Sequence, residues 1–152
     1  MKRFIVRPGA PLALLVALAL PACSQGDGTG SALNAGENPD ATVFLAQKSP
    51  PQGVMEALYT GKVTRDAQGC LRVDGEGGAV VIWPYGFRLA AREGALHVEN
   101  AEGRSIGQIG GDFRMGGGFV PAGHADALLS ATDRARAAAC PSESYWIVGE
   151  TD

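Results

Sequence analysis

Cys23 is the residue whose place in the sequence points most directly to a chemical event. It follows Ala22, at the end of a segment whose uninterrupted apolar run is Leu12–Leu20. The segment before that run is positively charged, through Lys2, Arg3 and Arg7. Positive charge, an apolar core and a small residue, in this order, are typical of a secretory signal that is cleaved behind the small residue. The pattern predicts cleavage beside Cys23, which puts its thiol at the new amino terminus.

The length of the apolar run favours a cleaved signal over a membrane-spanning anchor. Residues 12–20 would cover about 14 Å as a helix, which is roughly half of a hydrocarbon core. A spanning helix needs about 20 apolar residues, so this run is too short to serve as one.

Leu20-Pro21-Ala22-Cys23 resembles the lipobox of bacterial lipoproteins, in which an aliphatic and two small residues precede the cysteine. Pro21 departs from that pattern at its most tolerant position. The resemblance implies that Cys23 receives a diacylglycerol, that residues 1–22 are removed and that the new amino terminus is acylated. Ser24 replaces the aspartate that favours retention on the inner membrane, which implies an outer-membrane anchor facing the periplasm. An ordinary secretory signal with a chance cysteine is the alternative.

Cys70 and Cys140 remain as an even pair once Cys23 carries lipid. In an oxidising compartment such a pair is expected to form a disulfide, which would close a loop of about 70 residues and stabilise the fold by roughly 4 kcal/mol. Two buried thiols or a metal pair are the alternatives. A metal pair needs further Cys or His ligands at close spacing, and none lies nearby in the sequence. The sequence predicts the disulfide, with no metal and no cofactor.

Short apolar runs separated by turn residues indicate a mainly β fold. The turn signals recur every 8 to 12 residues, which is typical of a sandwich or small barrel. The chain contains 22 glycines, and glycine marks bulges and corners in strongly curved sheets. We therefore expect a small OB-like or Greek-key barrel. The candidate strands are Met55–Thr64, Cys70–Val73, Ala79–Trp83, Phe87–Leu89, Ala95–Val98, Ser105–Ile109, Phe113–Met115 and Tyr145–Val148.

The sequence divides into a signal peptide at 1–22, a lipid-anchored flexible linker at 23–53 and the barrel at 54–152. The linker is rich in Gly, Ser, Asn, Asp and Pro, a composition that is typical of a flexible N-terminal tether. Thr42–Ala46 is its apolar exception and could add a strand. Phe113–Met115 is expected to end at the glycines of 116–118, and Ala125–Ala139 predicts one helix near the C-terminus.

The domain also resembles a recurrent exported bacterial module of uncharacterised role. Four segments carry the resemblance: Gly69-Cys70-Leu71-Arg72, Trp83-Pro84-Tyr85-Gly86, Gly111-Asp112 with the glycines of 116–118, and Cys140 before Tyr145-Trp146. It implies a fold like that of an oligonucleotide- or oligosaccharide-binding (OB) barrel and carries no activity with it.

The polar residues offer no catalytic motif. His97 and Glu99 lie two residues apart in a candidate strand, where they could tune a base, but a solvent-facing stripe explains them equally well. Asp112 is more typical of a turn than of an acid or a calcium ligand. The glycines of 107–118 lack the lysine of a phosphate-binding loop. No catalytic residue is predicted.

Trp83, Tyr85, Phe87 and Arg88 form the candidate binding cluster. Aromatic side chains on a barrel rim can stack on sugars or bases, although in a small domain they more often belong to the core. Arg88 could add charge to such a rim.

Charge and address together limit the function. The chain has 13 Lys and Arg against 16 Asp and Glu, and signal cleavage makes it more acidic, so nucleic acid is not an expected partner. We expect a membrane-anchored envelope lipoprotein with a non-catalytic binding or assembly role, whose partners are the membrane, through its lipid, and an envelope protein or glycan. An envelope enzyme acting on peptidoglycan or lipid is the alternative.

Overall fold

The computed structural model describes residues 41–151 apart from Val54, Glu76 and the side chain of Glu150. The predicted signal peptide, Cys23 and residues 24–40 of the predicted tether lie outside the described residues. The described elements, in chain order, are β1 (Leu45–Ala46), β2 (Ala57–Arg65), β3 (Leu71–Val73), β4 (Val80–Trp83), β5 (Arg88–Arg92), β6 (Ala95–Glu99), β7 (Ser105–Gln108), β8 (Asp112–Pro121), α1 (Ala122–Ala125), α2 (Ala131–Ala137) and β9 (Ser144–Thr151).

Five of these strands close into a barrel. The order around the wall is β2, β3, β4, β9 and β8, and β8 pairs again with β2. The β4–β9 pair is parallel, whereas the other four neighbours are antiparallel. The parallel pairing of β4 with β9 closes a wall whose other neighbours are antiparallel. This strand order is that of an OB barrel. The predicted mainly β, OB-like fold is confirmed.

Strand β4 is buried on both faces, which explains why its sequence is continuously apolar rather than alternating. Val81 and Trp83 point into the barrel, together with Val63 and Val148. Val80 and Ile82 point outward into a second apolar cluster, and that cluster is completed by residues from β1, α1 and α2. The small domain therefore has two layers of core, one inside the barrel and one outside β4.

Strand β1 begins the covering of β4. Leu45 and Ala46 pair in parallel with Ile82 and Trp83, and the ring of Phe44 stacks on that of Trp83 with centroids 5.9 Å apart. The apolar exception in the predicted linker thus adds a strand. The predicted boundary between the linker and the barrel at residue 54 stays a prediction.

Glycines lie against large aromatic rings at three places, in β2, β7 and β8. A Cβ at Gly61 would lie 2.6 Å from the hydroxyl oxygen of Tyr59, and one at Gly107 would lie 2.5 Å from the ring of Phe113. At Gly117 the added Cβ would meet the backbone oxygen of Ile147 at 2.2 Å. These glycines are required because an aromatic side chain or a neighbouring strand fills the space that a side chain would need.

The expectation that the glycines of 116–118 end a strand was wrong. Strand β8 continues through them to Pro121, with a register shift between Met115 and Gly117 where it pairs with β9. The bulge and the close approach of β9 favour glycine without breaking the ladder.

The single helix predicted at Ala125–Ala139 was also wrong, because two short helices flank a turn. Leu129 is buried and forms an antiparallel bridge with Gln47, and the amide of Lys48 donates to the carbonyl of Leu128. These contacts use the backbone groups that a continuous helix would need. Ser130 then starts α2, because its hydroxyl oxygen accepts a hydrogen bond from the amide of Asp133.

A separate three-stranded sheet, β5–β6–β7, is inserted between β4 and β8. In the turn between β6 and β7, the amide of Gly103 donates to the carbonyl of Asn100. Gly110 ties this sheet to the barrel by donating to the carbonyl of Val63. None of the helices in the described part of the chain has the length and apolar character needed to cross a membrane.

Gly117→Ala tests the contact between β8 and β9. The added methyl group overlaps the backbone of Ile147, so we expect a loss of about 1–3 kcal/mol in the free energy of unfolding, measured by denaturant titration. Gly123→Ala is the control, because no atom lies within 4 Å of its added Cβ. In the helical position of Gly123 alanine is expected to be neutral or to stabilise by up to about 1 kcal/mol. Equal effects at the two positions would contradict the packing explanation.

Candidate functional site

The predicted binding cluster does not form one surface. Trp83 has no exposed area and packs tilted against Phe113 with ring centroids 5.6 Å apart. Phe87 is half-buried and packs against the same core. Only Tyr85, which is 53% exposed, and Arg88 face solvent. The fold therefore separates the two aromatic residues that pack against the core from the two exposed members of the cluster.

Arg88 is engaged in an ion pair at the edge of the three-stranded sheet. Its guanidinium lies 2.6 Å from the carboxylate of Glu99, which also pairs with Arg92. The hydrogen bond from Arg92, against the opposing effect of burial, lowers the pKa of Glu99. His97 instead faces Ser105, with 3.0 Å between Nδ1 and Oγ. The carboxylate and imidazole that the sequence places two residues apart thus have different partners.

The Cys70–Cys140 disulfide is present, with the two sulfur atoms 2.01 Å apart, which confirms the predicted pairing. Both cysteines are fully buried in the outer apolar cluster. Cys70 directly precedes β3 and Cys140 follows α2, so the bond joins the β2–β3 turn to the segment that leads from α2 into β9.

Asp66 and Arg72 form a buried ion pair beside this disulfide. Their side chains are 3% and 7% exposed, and Nε of Arg72 lies 2.5 Å from Oδ2 of Asp66. The other oxygen of Asp66 accepts from the amides of Gln68 and Cys70. Burial acts to raise the pKa of Asp66, but the arginine and the two amides outweigh it, so the pKa lies below its ordinary value.

The same arginine joins three connections of the barrel. Nη1 of Arg72 donates to the carbonyl of Gly78, in the β3–β4 turn, at 2.8 Å. Nη2 donates to the carbonyl of Pro141, before β9, at 3.1 Å. Together with the bond to Asp66, these contacts fix the β2–β3 turn, the β3–β4 turn and the approach to β9 around one guanidinium group.

The face that OB barrels commonly use for binding is covered here. That face lies on the second and third barrel strands, between the loops that connect strands one to two and four to five. In this chain those strands are β3 and β4, and Leu45 and Leu129 pack on the outer side of β4. The disulfide links the two flanking connections. The chain's own segments therefore occupy the usual site.

Among the described residues, two open clefts beside these connections share Pro141 and Ser142 in their lining. One has a volume of about 630 Å³ and is lined by Arg72, Gly77 and Glu143 among others. The second has a volume of about 440 Å³, and Asp126, Arg134 and Tyr145 contribute to its lining. Pro141 and Ser142 line both, so the two clefts are neighbours.

Tyr145 gives the second cleft an unused polar atom. The residue is only 6% exposed, and its hydroxyl forms no hydrogen bond within the part of the chain that the structure describes. Burial raises the pKa of this tyrosine, the charge of Asp126 raises it further, and Arg72 acts in the opposite direction. The hydroxyl thus lies within electrostatic reach of charged residues from both clefts.

The sequence did not single out Tyr145 as a site residue. It predicted Tyr145–Val148 as a closing strand, and strand alternation could place Tyr145 and Trp146 on opposite faces. It could not show which face borders a cleft. In the structure Trp146 belongs to the barrel interior and Tyr145 to the outer cluster.

A third groove, of about 270 Å³, is mainly apolar. Met55, Leu128 and Ile147 contribute to its lining, and Met55 is 38% exposed.

The exposed Lys62–Asp112 ion pair lies on the β2–β8 pair, so Asp112 has a charged partner on the neighbouring strand. Within residues 41–151, as far as they are described, no group of three or more His, Cys, Asp or Glu is placed to hold a metal ion.

No protein-family model matches this chain, and no curated protein and no solved structure matches it.

Asp66→Asn tests the contribution of the buried ion pair. Removing one partner leaves the charge of Arg72 buried, so we expect a loss of about 3 kcal/mol at neutral pH. Because the folded-state pKa of Asp66 is lowered, its stabilising effect is present above the unfolded pKa of about 3.9 and is lost as the pH falls through the folded-state value. The stability difference between wild type and variant should therefore shrink below about pH 4.

Asp112→Asn is the matched control for that pH titration. Its pair with Lys62 has side chains that are 80% and 60% exposed, so we expect a change within about 1 kcal/mol. Unfolding followed by circular dichroism between neutral and acid pH measures both variants. A pH-independent difference for Asp66→Asn would contradict the assignment.

Replacing both Cys70 and Cys140 with alanine tests the covalent link. The bond closes a sequence separation of 70 residues, so its loss is expected to cost roughly 4 kcal/mol through the greater entropy of the unfolded chain. Denaturant titration measures this loss. Mass spectrometry of the non-reduced wild type should recover one peptide pair containing both cysteines, and recovery of two free thiols would contradict the link.

Proposed function

We propose that this chain is a lipoprotein of the cell envelope that binds a partner without catalysing a reaction. One observation carries the binding role: the buried Tyr145 carries an unpartnered hydroxyl at a cleft that borders the cleft of Arg72. Among the described residues, the side-chain polar atoms that are both buried and unbonded are the indole nitrogens of Trp83 and Trp146. The Tyr145 hydroxyl therefore keeps contact with solvent and can exchange water for a hydrogen-bonding group of a ligand. The partner is an envelope protein or glycan.

The perturbed carboxyl groups support binding over catalysis. Among the described residues, Asp66 and Glu99 are the carboxyl groups whose pKa is lowered, and arginines hold both as anions. A general acid needs a proton to give near neutral pH, which a raised pKa would supply. Both groups are therefore structural, and neither offers the proton that an enzyme acting on peptidoglycan or lipid would need from a general acid.

The proposed anchor is lipid on Cys23. It would hold the protein on the outer membrane, facing the periplasm. Its support is the lipobox-like sequence and the pairing of Cys70 with Cys140, because structural disulfides are common in oxidising compartments.

Metabolic labelling with a palmitate analogue tests the anchor. Wild-type protein expressed in a bacterial host with lipoprotein-processing enzymes is expected to incorporate the label and to fractionate with membranes. Cys23→Ser should lose both properties, because it removes the acylated thiol. Label on the serine variant, or an unlabelled wild type, would refute lipidation at this position.

A photo-crosslinking amino acid at position 142 tests the binding role. Ser142 lines both clefts, so irradiation of intact envelopes should join the protein to a discrete partner there. The same amino acid at position 60 is the control, because Thr60 is exposed on β2 and does not belong to the described lining of either cleft. Equal products from the two positions, or none from position 142, would count against the clefts as the binding site.

A further inference from the structure

We propose that the two clefts beside Pro141 and Ser142 together bind an uncharged oligosaccharide. This inference rests on the proposed binding role and names the chemistry of the ligand. It depends on the hydrogen-bonding groups, the charge balance and the arrangement of the clefts.

The hydrogen-bonding groups of the clefts include both donors and acceptors. Arg72 has five N–H donors, and its three hydrogen bonds go to Asp66, Gly78 and Pro141. The hydroxyl of Tyr145 can donate and accept, and it forms no bond within the described residues. A sugar hydroxyl also both donates and accepts, so one ligand group can satisfy either kind of atom.

The charge of the lining is balanced. Arg72 and Arg134 contribute positive charge, whereas Glu143 and Asp126 contribute negative charge. Asp66 additionally neutralises Arg72 from within. The described lining therefore has no excess positive charge to attract a phosphate or a polyanion, and the chain as a whole is acidic, with a formal net charge of −3. An uncharged ligand rich in hydroxyl groups fits this balance.

The arrangement of the clefts favours an oligomer over a single ring. The two clefts have volumes of about 630 and 440 Å³. Because Pro141 and Ser142 line both, a chain of sugars can place successive rings in the two neighbouring clefts. Both clefts are open to solvent, as a polymer that extends beyond the site requires.

Tyr145→Phe is the most selective variant for this inference. It removes the unpartnered hydroxyl and leaves the buried ring in place, so the unfolding midpoint should not fall. The hydroxyl of Tyr59 provides a matched control, because it donates to the carbonyl of Lys62 and accepts from the amide of Asp74. Tyr59→Phe is therefore expected to lower the unfolding midpoint and to leave ligand affinity unchanged.

Isothermal titration of the full-length lipidated protein in detergent micelles measures the binding. The probes are two short neutral oligomers, one of N-acetylglucosamine and one of glucose, with polygalacturonate as an anionic saccharide and an uncharged Gly-Ser peptide as further arms. We expect binding to at least one neutral oligomer. Tyr145→Phe should weaken it roughly three- to tenfold, the effect of one lost hydrogen bond. Ser142→Trp should abolish it, because Ser142 lines both clefts and the larger side chain would fill them.

Several results would overturn the inference. These are failure of both neutral oligomers to bind, binding of only the anionic probe or only the peptide, or unchanged affinity in both Tyr145→Phe and Ser142→Trp. Failure here is distinguishable from failure of the binding role. A protein crosslinked at position 142, without saccharide binding, would retain the binding module and reject the saccharide. If no partner is crosslinked at position 142 and no saccharide binds in the titration, both the binding role and the saccharide ligand are rejected.

Discussion

The buried ion pair between Asp66 and Arg72 is the constraint around which this domain is arranged. Two opposite charges removed from water are tolerated only when their remaining hydrogen-bonding groups are satisfied. Here the satisfying groups come from backbone in separate connections, including the carbonyls of Gly78 and Pro141. The requirement therefore brings together the β2–β3 turn, the β3–β4 turn and the approach to β9. The proposed clefts lie at that meeting point, so the same interaction that stabilises the fold also shapes the candidate site.

The second feature of the domain is that its barrel is covered on one side by its own chain. Strand β4 has apolar residues on both faces, and the outer set, Val80 and Ile82, would be exposed without β1 and the two short helices. The disulfide from Cys70 to Cys140 lies in this outer layer. It limits the separation of the helical segment from the barrel when local structure fluctuates. The usual OB surface is thereby covered by the chain itself, and the proposed site lies in the polar clefts at its border.

The proposed function joins two parts of the chain that carry different information. The first 23 residues hold the predicted address, which is a matter of charge, apolar length and one cysteine. The barrel holds the candidate site, in which Tyr145 and Arg72 act through position rather than through a recognisable motif. The sequence favoured the exposed residues Tyr85 and Arg88 for a rim. Arg88 already has a structural partner, because it forms an ion pair with Glu99.

The sequence by itself determined the features that depend on local pattern or on counting. Short apolar runs separated by turn residues predicted most strands, frequent turns and glycines predicted a barrel, and the cysteine count with an export signal predicted the Cys70–Cys140 pair. Only the tertiary structure decided the rest. The predicted helix is interrupted at Leu128–Leu129, because the backbone of these residues pairs with the distant backbone of Gln47 and Lys48. The tertiary structure also carried β8 through its glycines, buried Trp83 and left the Tyr145 hydroxyl unpartnered. Each of these outcomes depends on a neighbour far away in sequence, and residue types in one segment do not specify which distant segment will pack against it.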